Sequence, residues 1–351
     1  MPFEIKDVDR KFYEERLQGF LPDKIIDSHS HIWLDKLVST GDNQACRIQA
    51  WPLKVAKENS IEDLVAGYKL YFPDKEVTPL FCPGNVTSKS SIENLNEYCS
   101  ASAAQYNYPF LTLTNPDWDA ETVEATIKRD KSIGVKVYLT FAPDYIPVDE
   151  IRIFDFLPRH HLEVLNKNGW AALLHIARPG RLGDPLNLAQ MLEIEERYPN
   201  VKLIIAHVGR AYCPEDVGNA FELLKETKNM VFDLAANTSA VVFEQLINAV
   251  GPKRILFGSD EPISRMRMKR ICENGRYINL IAKGAYGDVS NDPHMREVSK
   301  EESDTFTFFI YEIIEAMRVA AERTGLSSAD IEDIFYNNAN RIRIDVKKGQ
   351  E

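Results

Sequence analysis

Four of the seven histidines stand where short apolar runs end, and such positions can build a metal site. His29 and His31 close the run Ile25-Ile26-Asp27-Ser28. Side chains two apart on a strand point to the same side, so both imidazoles can reach one point. His175 ends Ala171-Ala172-Leu173-Leu174, His207 ends Leu203-Ile204-Ile205-Ala206, and Asp260 follows Ile255-Leu256-Phe257-Gly258-Ser259. Neutral imidazole is the commonest nitrogen ligand for zinc and related metals. Imidazoles with one carboxylate suit zinc, manganese or iron(II) better than calcium. A lone histidine at a strand end is ordinarily a polar cap or a satisfied core group, and His-x-His alone is a weak signal. Repetition over several strand ends is what sets this group apart.

Other polar positions carry weaker signals. Asp27 shares the parity of His29 and His31, so it can orient one of them by a hydrogen bond. The alternative is a buried carboxylate satisfied by backbone amides. Lys136, in Gly134-Val135-Lys136-Val137-Tyr138, reads as a substrate contact or a buried ion-pair partner, ahead of a bridging carbamate between two metals. Tyr138 shares its parity and should line the pocket. Arg178 and Arg210 each lie three residues after a site histidine, which places both at a rim. Their planar forks suit a carboxylate, although a structural salt bridge is nearly as good an account. Arg265 and Arg267 are further rim positions. His160-His161, beside Arg159, reads as a solvated or capping face of a helix. His294 lies in a long excursion, and nothing in the sequence places it.

The elements that must position these groups are eight apolar runs alternating with helix-like stretches. The runs are Lys24–Ser28, Val77–Cys82, Pro109–Thr114, Val135–Thr140, Ala171–Ile176, Val201–Ala206, Met230–Ala235 and Arg254–Gly258. Near-continuous apolarity marks strands buried on both faces. Between them, helices are expected over 60–71 (with Ser60 and Asp63 as a capping box), 92–106, 119–132, 157–168, 186–198, 215–228 and 239–250. Two more, over 304–324 and 328–338, close the chain. Eight strand–helix units predict a (β/α)8 TIM barrel, with an open doubly wound sheet as the rival. Long loops after strands 1 and 8, residues 32–59 and 261–302, would both lie over the C-terminal face, where barrel active sites form. The whole chain reads as one unit with its barrel core over about residues 24–342.

Composition narrows the class. The 351 residues are 44% hydrophobic and carry a formal net charge of -11, which argues against nucleic-acid binding while leaving room for a local cationic pocket and a small anionic substrate. The five cysteines are odd in number and lack a C-x-x-C pair, which argues against a disulfide framework. No signal-peptide-like stretch occupies the start, and no run of about 18 apolar residues suggests a membrane span, so the cytoplasm is the expected compartment. A homodimer is the assembly that soluble enzymes commonly adopt.

Together, Asp27-x-His29-x-His31, His175, His207 and Gly258-Ser259-Asp260-x-Pro262 resemble the amidohydrolase superfamily. The set is most similar to its amidohydrolase-related (amidohydrolase 2) group of metal-dependent barrel hydrolases and decarboxylases. The segment Ile334-Phe335-Tyr336-Asn337-Asn338-Ala339-Asn340-Arg341 resembles the closing Asn-Ala helix of that group. The resemblance implies metal ligands at His29, His31, His175 and Asp260, and a catalytic or metal-polarising role for His207. It implies one divalent metal rather than two, with zinc expected and manganese or iron as alternatives; Lys136 keeps the two-metal form open. Hydrolysis by a metal-activated water is then the expected reaction. Asp260 would take the proton of that water, and His207 would polarise the scissile carbonyl. The substrate expected is a small carboxylate-bearing lactone, ester or amide, held by Arg178 or Arg210. A decarboxylase or hydratase using the same residues is the alternative, and a non-catalytic metal-containing barrel is the second.

Overall fold

Apolar runs of five or six residues, each bounded by a glycine, proline or polar turn, become eight parallel strands. The computed structural model describes residues 4–38, 52–86 and 88–350. The strands are β1 Lys24–Ile32, β2 Glu76–Pro83, β3 Thr112–Leu113, β4 Gly134–Val137, β5 Ala171–Leu174, β6 Lys202–Ile205, β7 Val231–Asp233 and β8 Ile255–Leu256. β1 pairs with β2, and β3 to β8 pair in sequence order, all parallel. Two seams join these sheets. Leu111 N donates to Phe81 O at 2.9 Å between β2 and β3. Ser28 N donates to Phe257 O at 2.9 Å and Asp260 N to His29 O at 2.7 Å between β1 and β8. The result is the expected eight-stranded β/α barrel.

A helix follows each strand: α1 Ile61–Tyr71, α2 Ile92–Tyr106, α3 Ala120–Asp130, α4 Arg159–Asn168, α5 Pro185–Arg197, α6 Ala220–Leu224, α7 Ala240–Val250 and α8 Phe309–Thr324. Ser60 and Asp63 form the capping box at α1, each side chain accepting the other's amide at 3.1 Å. α6 is much shorter than the 215–228 stretch expected, because the segment before it holds Pro214 and a left-handed Gly218 (φ 52°). The chain closes the barrel floor with Asn338, whose Nδ2 donates to Pro252 O at 2.8 Å and Ile255 O at 2.7 Å. No helix among the described residues is long and apolar enough to cross a membrane.

Of the first long loop, residues 39–51 lie outside the described part. Trp33, at its start, is fully buried and donates through Nε1 to Lys57 O at 2.9 Å. The second loop is not irregular. It folds into β9 Met268–Glu273 and β10 Arg276–Ala282, an antiparallel hairpin, with β11 Met295–Val298 parallel to β10. Asn274 (φ 52°) and Gly275 (φ 71°) form its turn, the Asn-Gly pair that tight hairpins favour. This hairpin also places one disulfide in a chain whose cysteine number and spacing argue against a disulfide framework. Cys272 on β9 is disulfide-bonded to Cys213, 59 residues earlier, in the loop after β6. Nothing in local spacing signals a pair that only the hairpin's return brings together. Cys82 and Cys99 are free and buried.

Candidate active site

The C-terminal ends of β1, β7 and β8, with the turn after β6, build one buried polar centre. His29 and His31 leave β1 on the same side. His31 Nε2 lies 3.1 Å from Asp260 Oδ1, and His29 Nε2 lies 3.6 Å from the same oxygen. Gly258 permits this approach: a Cβ there would sit 3.0 Å from His29 Cβ and 3.4 Å from Asp233 Cβ.

Hydrogen bonds set which ring nitrogens carry protons. His29 Nδ1 meets Asp233 Oδ2 at 2.9 Å. An ionised Asp233 accepts that proton, leaving a lone pair on Nε2. His31 Nδ1 lies 3.2 Å from Cys82 Sγ and 3.3 Å from Tyr138 Oη. The Tyr138 hydroxyl donates instead to Pro83 O at 2.9 Å, and the Cys82 thiol to Ser30 O at 3.5 Å. With both donors committed, Nδ1 keeps its proton, and Nε2 is the His31 nitrogen that can take a cation once its own proton is displaced. Three potential ligand atoms, from His29, His31 and Asp260, thus lie within 4.8 Å of one another. Such a donor set calls for a cation, and two imidazoles with a carboxylate fit a borderline divalent metal.

Electrostatics agree with a shared centre. Burial alone would raise Asp260, but the imidazoles of His207, His31 and His29 outweigh it and hold this carboxyl well below its ordinary range. Burial and the Lys136 ammonium push His29 down. Burial opposes charge on His31 too, yet Cys82 and Asp260 push it up to about 9, so an entering cation displaces a proton there.

His175, at the end of β5, stands at the edge of this triad, its ring centroid 5.2 Å from that of His207. Its Nδ1 is buried without a hydrogen-bond partner among the described residues, and burial with Arg210 nearby pushes its pKa well down. A neutral imidazole with an unspent nitrogen fits a further ligand. His207, 4.9 Å from His29 between ring centroids, donates through Nδ1 to Ala235 O at 2.8 Å. A carbonyl only accepts, so the neutral ring keeps a lone pair on Nε2. Burial lowers its pKa to about 4, despite the opposing charge of Asp260. Polarising a carbonyl needs a proton to donate, whereas in this tautomer the unspent nitrogen, Nε2, is an acceptor.

The backbone bearing His207 is strained. His207, Val208, Gly209 and Arg210 all have left-handed φ, at 57°, 51°, 61° and 60°. A left-handed turn costs about 1–2 kcal/mol per non-glycine residue, and a β-branched residue there is a rare outlier. Asp233 offsets part of this cost by accepting His207 N at 2.7 Å and Ala235 N at 3.0 Å. Asp233 therefore holds His29 and His207 at once. Its signal in the sequence is a single acidic residue interrupting the apolar run Met230–Ala235, which was not among the expected site residues.

The remaining positions divide. Asp27 is fully buried and accepts His29 N at 3.1 Å, Ser259 N at 2.9 Å, Tyr68 Oη at 2.6 Å and the Ser259 hydroxyl. It touches no imidazole. The expectation that it orients a histidine ring is corrected: it ties β1 to the end of β8, and Asp233 does the orienting. Burial, opposed by the Ser259 and Tyr68 hydrogen bonds, pushes Asp27 up to about 7. Lys136 is fully enclosed, with Nζ 3.4 Å from His29 Nε2 and 5.2 Å from the Tyr138 ring centroid. Arg210 donates through Nη1 to Ala177 O at 2.9 Å. Arg178 is held by Asp184 at 3.2 Å and donates to Glu150 O, the salt-bridge account rather than the substrate one. Arg265 and Arg267 are engaged by Glu261 and Asp9 at 2.6 and 2.5 Å. His160 and His161 are not a solvated face, since both rings meet Trp118 O and His161 is buried. His294 stacks on Tyr277 at 4.0 Å between centroids.

Comparison with known proteins gives the family and the fold. The amidohydrolase family model matches residues 26–342, and the chain belongs to that family. No curated protein matches it in sequence. Among solved structures, it is similar to a 5-carboxyvanillate decarboxylase from Novosphingobium aromaticivorans with bound manganese, at 10% identity and a TM-score of 0.54, covering 93% of this chain and 97% of that one. A probable 2-pyrone-4,6-dicarboxylic acid hydrolase from Acinetobacter baumannii with citric acid bound matches at 12% identity and a TM-score of 0.52, covering 91% and 98%. A dihydroxybenzoic acid decarboxylase from a Polaromonas species with bound manganese matches at 13% identity and a TM-score of 0.52, covering 92% and 97%. At these identities the likeness is one of fold.

Proposed function

We propose that this amidohydrolase-family chain is a metal-dependent hydrolase of a small carboxylate-bearing lactone, ester or amide. His29, His31 and Asp260 would hold one divalent metal, with His175 as a further ligand. The observation that carries the reading is the set of proton assignments: His29 Nδ1 is spent on Asp233 and His207 Nδ1 on Ala235 O, so the centre is lined by acceptors. Hydrolysis needs acceptors, because the attacking water must lose a proton.

A divalent metal, when bound, supplies Lewis acidity at this point. Asp260, ionised and partly exposed, takes the proton of the water and delivers it to the leaving group. His207 Nε2 is the second acceptor. Lys136 and Arg210 hold the substrate carboxylate, and Tyr138 lines its pocket. Zinc and manganese both suit the donors. The manganese-bound neighbours make manganese the first ion to try.

Decarboxylation is the second reading, and Lys136 is the observation that favours it. An enclosed ammonium 3.4 Å from His29 Nε2 is a proton donor at the centre, and a decarboxylase needs one to protonate the carbanion. The deciding experiment is elemental analysis followed by product analysis on carboxylated lactones, amides and aromatic acids. Stoichiometric metal, absent from the His29→Ala/His31→Ala double variant, and hydrolysis lost in Asp260→Asn are expected. Metal retained by the double variant overturns the ligand assignment, and release of carbon dioxide overturns hydrolysis.

A further inference from the structure

The basic residues around the centre fall into two groups. Arg178, Arg181, Arg265 and Arg267 each meet a carboxylate, from Asp184 at 3.2 Å, Asp216 at 2.7 Å, Glu261 at 2.6 Å and Asp9 at 2.5 Å. Lys136, Arg210 and Arg270 meet none among the described residues. The chain has 53 acidic against 42 basic residues, so this is not for want of acids. Lys136 is buried while Arg210 and Arg270 are half-buried, and a cation drawn out of water without a counter-charge is costly unless a ligand supplies one.

Arg270 is held as a binding group would be. It comes from β9, part of the loop that the eight-strand pattern does not require. Its Nε donates to Asn279 Oδ1 at 2.8 Å and its Nη1 to Ala236 O. Its guanidinium carbon lies 4.7 Å from the Tyr212 ring centroid and 4.8 Å from those of Tyr277 and Phe309. Nη2 makes no hydrogen bond to a described residue. The group is also close to the chemistry. Ala236 follows the residue whose carbonyl anchors His207, and the Tyr212 ring lies 6.5 Å from that of His207. The Cys213–Cys272 disulfide joins the residue after Tyr212 to the strand bearing Arg270, so wall and cation move together.

We infer that Arg270 is a specificity-determining residue, the cation of a subsite for a second carboxylate on the substrate, apart from the group presented to the metal. The Tyr212 ring, which neighbours both Arg270 and His207, favours a flat ligand, and a guanidinium with an unspent edge is the donor best matched to a carboxylate. The inference rests on the carboxylate-bearing substrate proposed above and deepens it to a planar dianion.

The test uses isophthalate and benzoate as probes, titrated calorimetrically into metal-loaded and metal-stripped protein. Wild type should bind isophthalate roughly tenfold or more tighter than benzoate, the range of a charge-assisted hydrogen bond. Arg270→Gln should abolish that preference while leaving benzoate affinity and metal content unchanged. A thermal melt checks folding. If the glutamine variant does not fold, Arg270→Lys is read instead: it keeps the stem and charge without the planar fork, and should lose most of the preference. Equal binding of the two probes by wild type, binding of neither, or a full preference in the folded variant overturns the subsite. Failure to take up metal overturns the metal-dependent reading alone, since the probe ratio in stripped protein still judges Arg270.

Discussion

Replacing Asp233 with asparagine changes one oxygen into an amide nitrogen and almost nothing in shape, yet it should cost the metal site dearly. Oδ1 must remain an oxygen, because it accepts the amides of His207 at 2.7 Å and Ala235 at 3.0 Å. The new NH2 therefore faces His29 Nδ1, now 2.9 Å from Oδ2. An NH2 group donates, so Nδ1 must accept and the ring proton moves to Nε2. There it points at Asp260, where a cation belongs. Binding metal through Nε2 would force two donors together in a fully buried site, at about 1–3 kcal/mol for an unmade buried hydrogen bond. That corresponds to roughly 5- to 150-fold in affinity, matching the 10- to 100-fold typical of groups that orient metal-binding histidines. Manganese or zinc titration against a competing chelator reads the loss directly. Urea denaturation should show little change for Asp233→Asn, because both amides keep their acceptor, and a larger loss for Asp233→Ala, which strands them. A folded Asp233→Asn that binds metal as tightly as wild type refutes the assignment of His29 Nε2 to the metal, or of its tautomer to Asp233.

Three further outcomes are expected. Asp27 is held up to about 7, chiefly by burial, against 3.8 for an ordinary aspartate, so the folded state binds the extra proton. The stability contributed there is full below about pH 4, falls as pH rises toward 7, and is flat above; the span is roughly 4 kcal/mol. Asp27→Asn should remove that slope, as urea midpoints at pH 4.5 and 7.5 would show, and an unchanged slope would reject Asp27 as its source. Unfolded, unreduced protein should titrate about three thiols per chain, since two of five cysteines are paired, and all five after reduction; reduction should also lower stability by up to about 4 kcal/mol for a loop of this length. Five thiols before reduction would disprove the pairing. Gly209→Ala places a Cβ 2.6 Å from Leu182 Cδ1 on a left-handed residue (φ 61°), so it should destabilise by about 1–2 kcal/mol in denaturant titration. A neutral or stabilising effect would mean that the left-handed turn after β6 is not held as described.

Much of this protein was legible along the chain, because burial on two faces writes itself into sequence locally. Each strand had to be a short apolar run, and all eight lie within a few residues of where such runs occur. Parity then placed His29 and His31 together, and the position just past a strand placed His175, His207 and Asp260 at one end of the barrel. What the chain did not reveal are choices between partners. Asp27 and Asp233 look alike as polar residues near strand ends; only the packed barrel gives the first to Ser259 and Tyr68 and the second to His29. Arg178 and Arg210 share a spacing, yet Asp184 occupies one and leaves the other facing carbonyls. The Asn274-Gly275 turn was a readable hairpin signal, but where that hairpin returns is a matter of long-range contact, and it alone brings Cys272 to Cys213 and Arg270 to Tyr212. Periodicity reports which side of an element meets the core. Partnership, and with it the proton on each histidine, depends on distances of about 3 Å between residues far apart in the chain, which only tertiary packing sets.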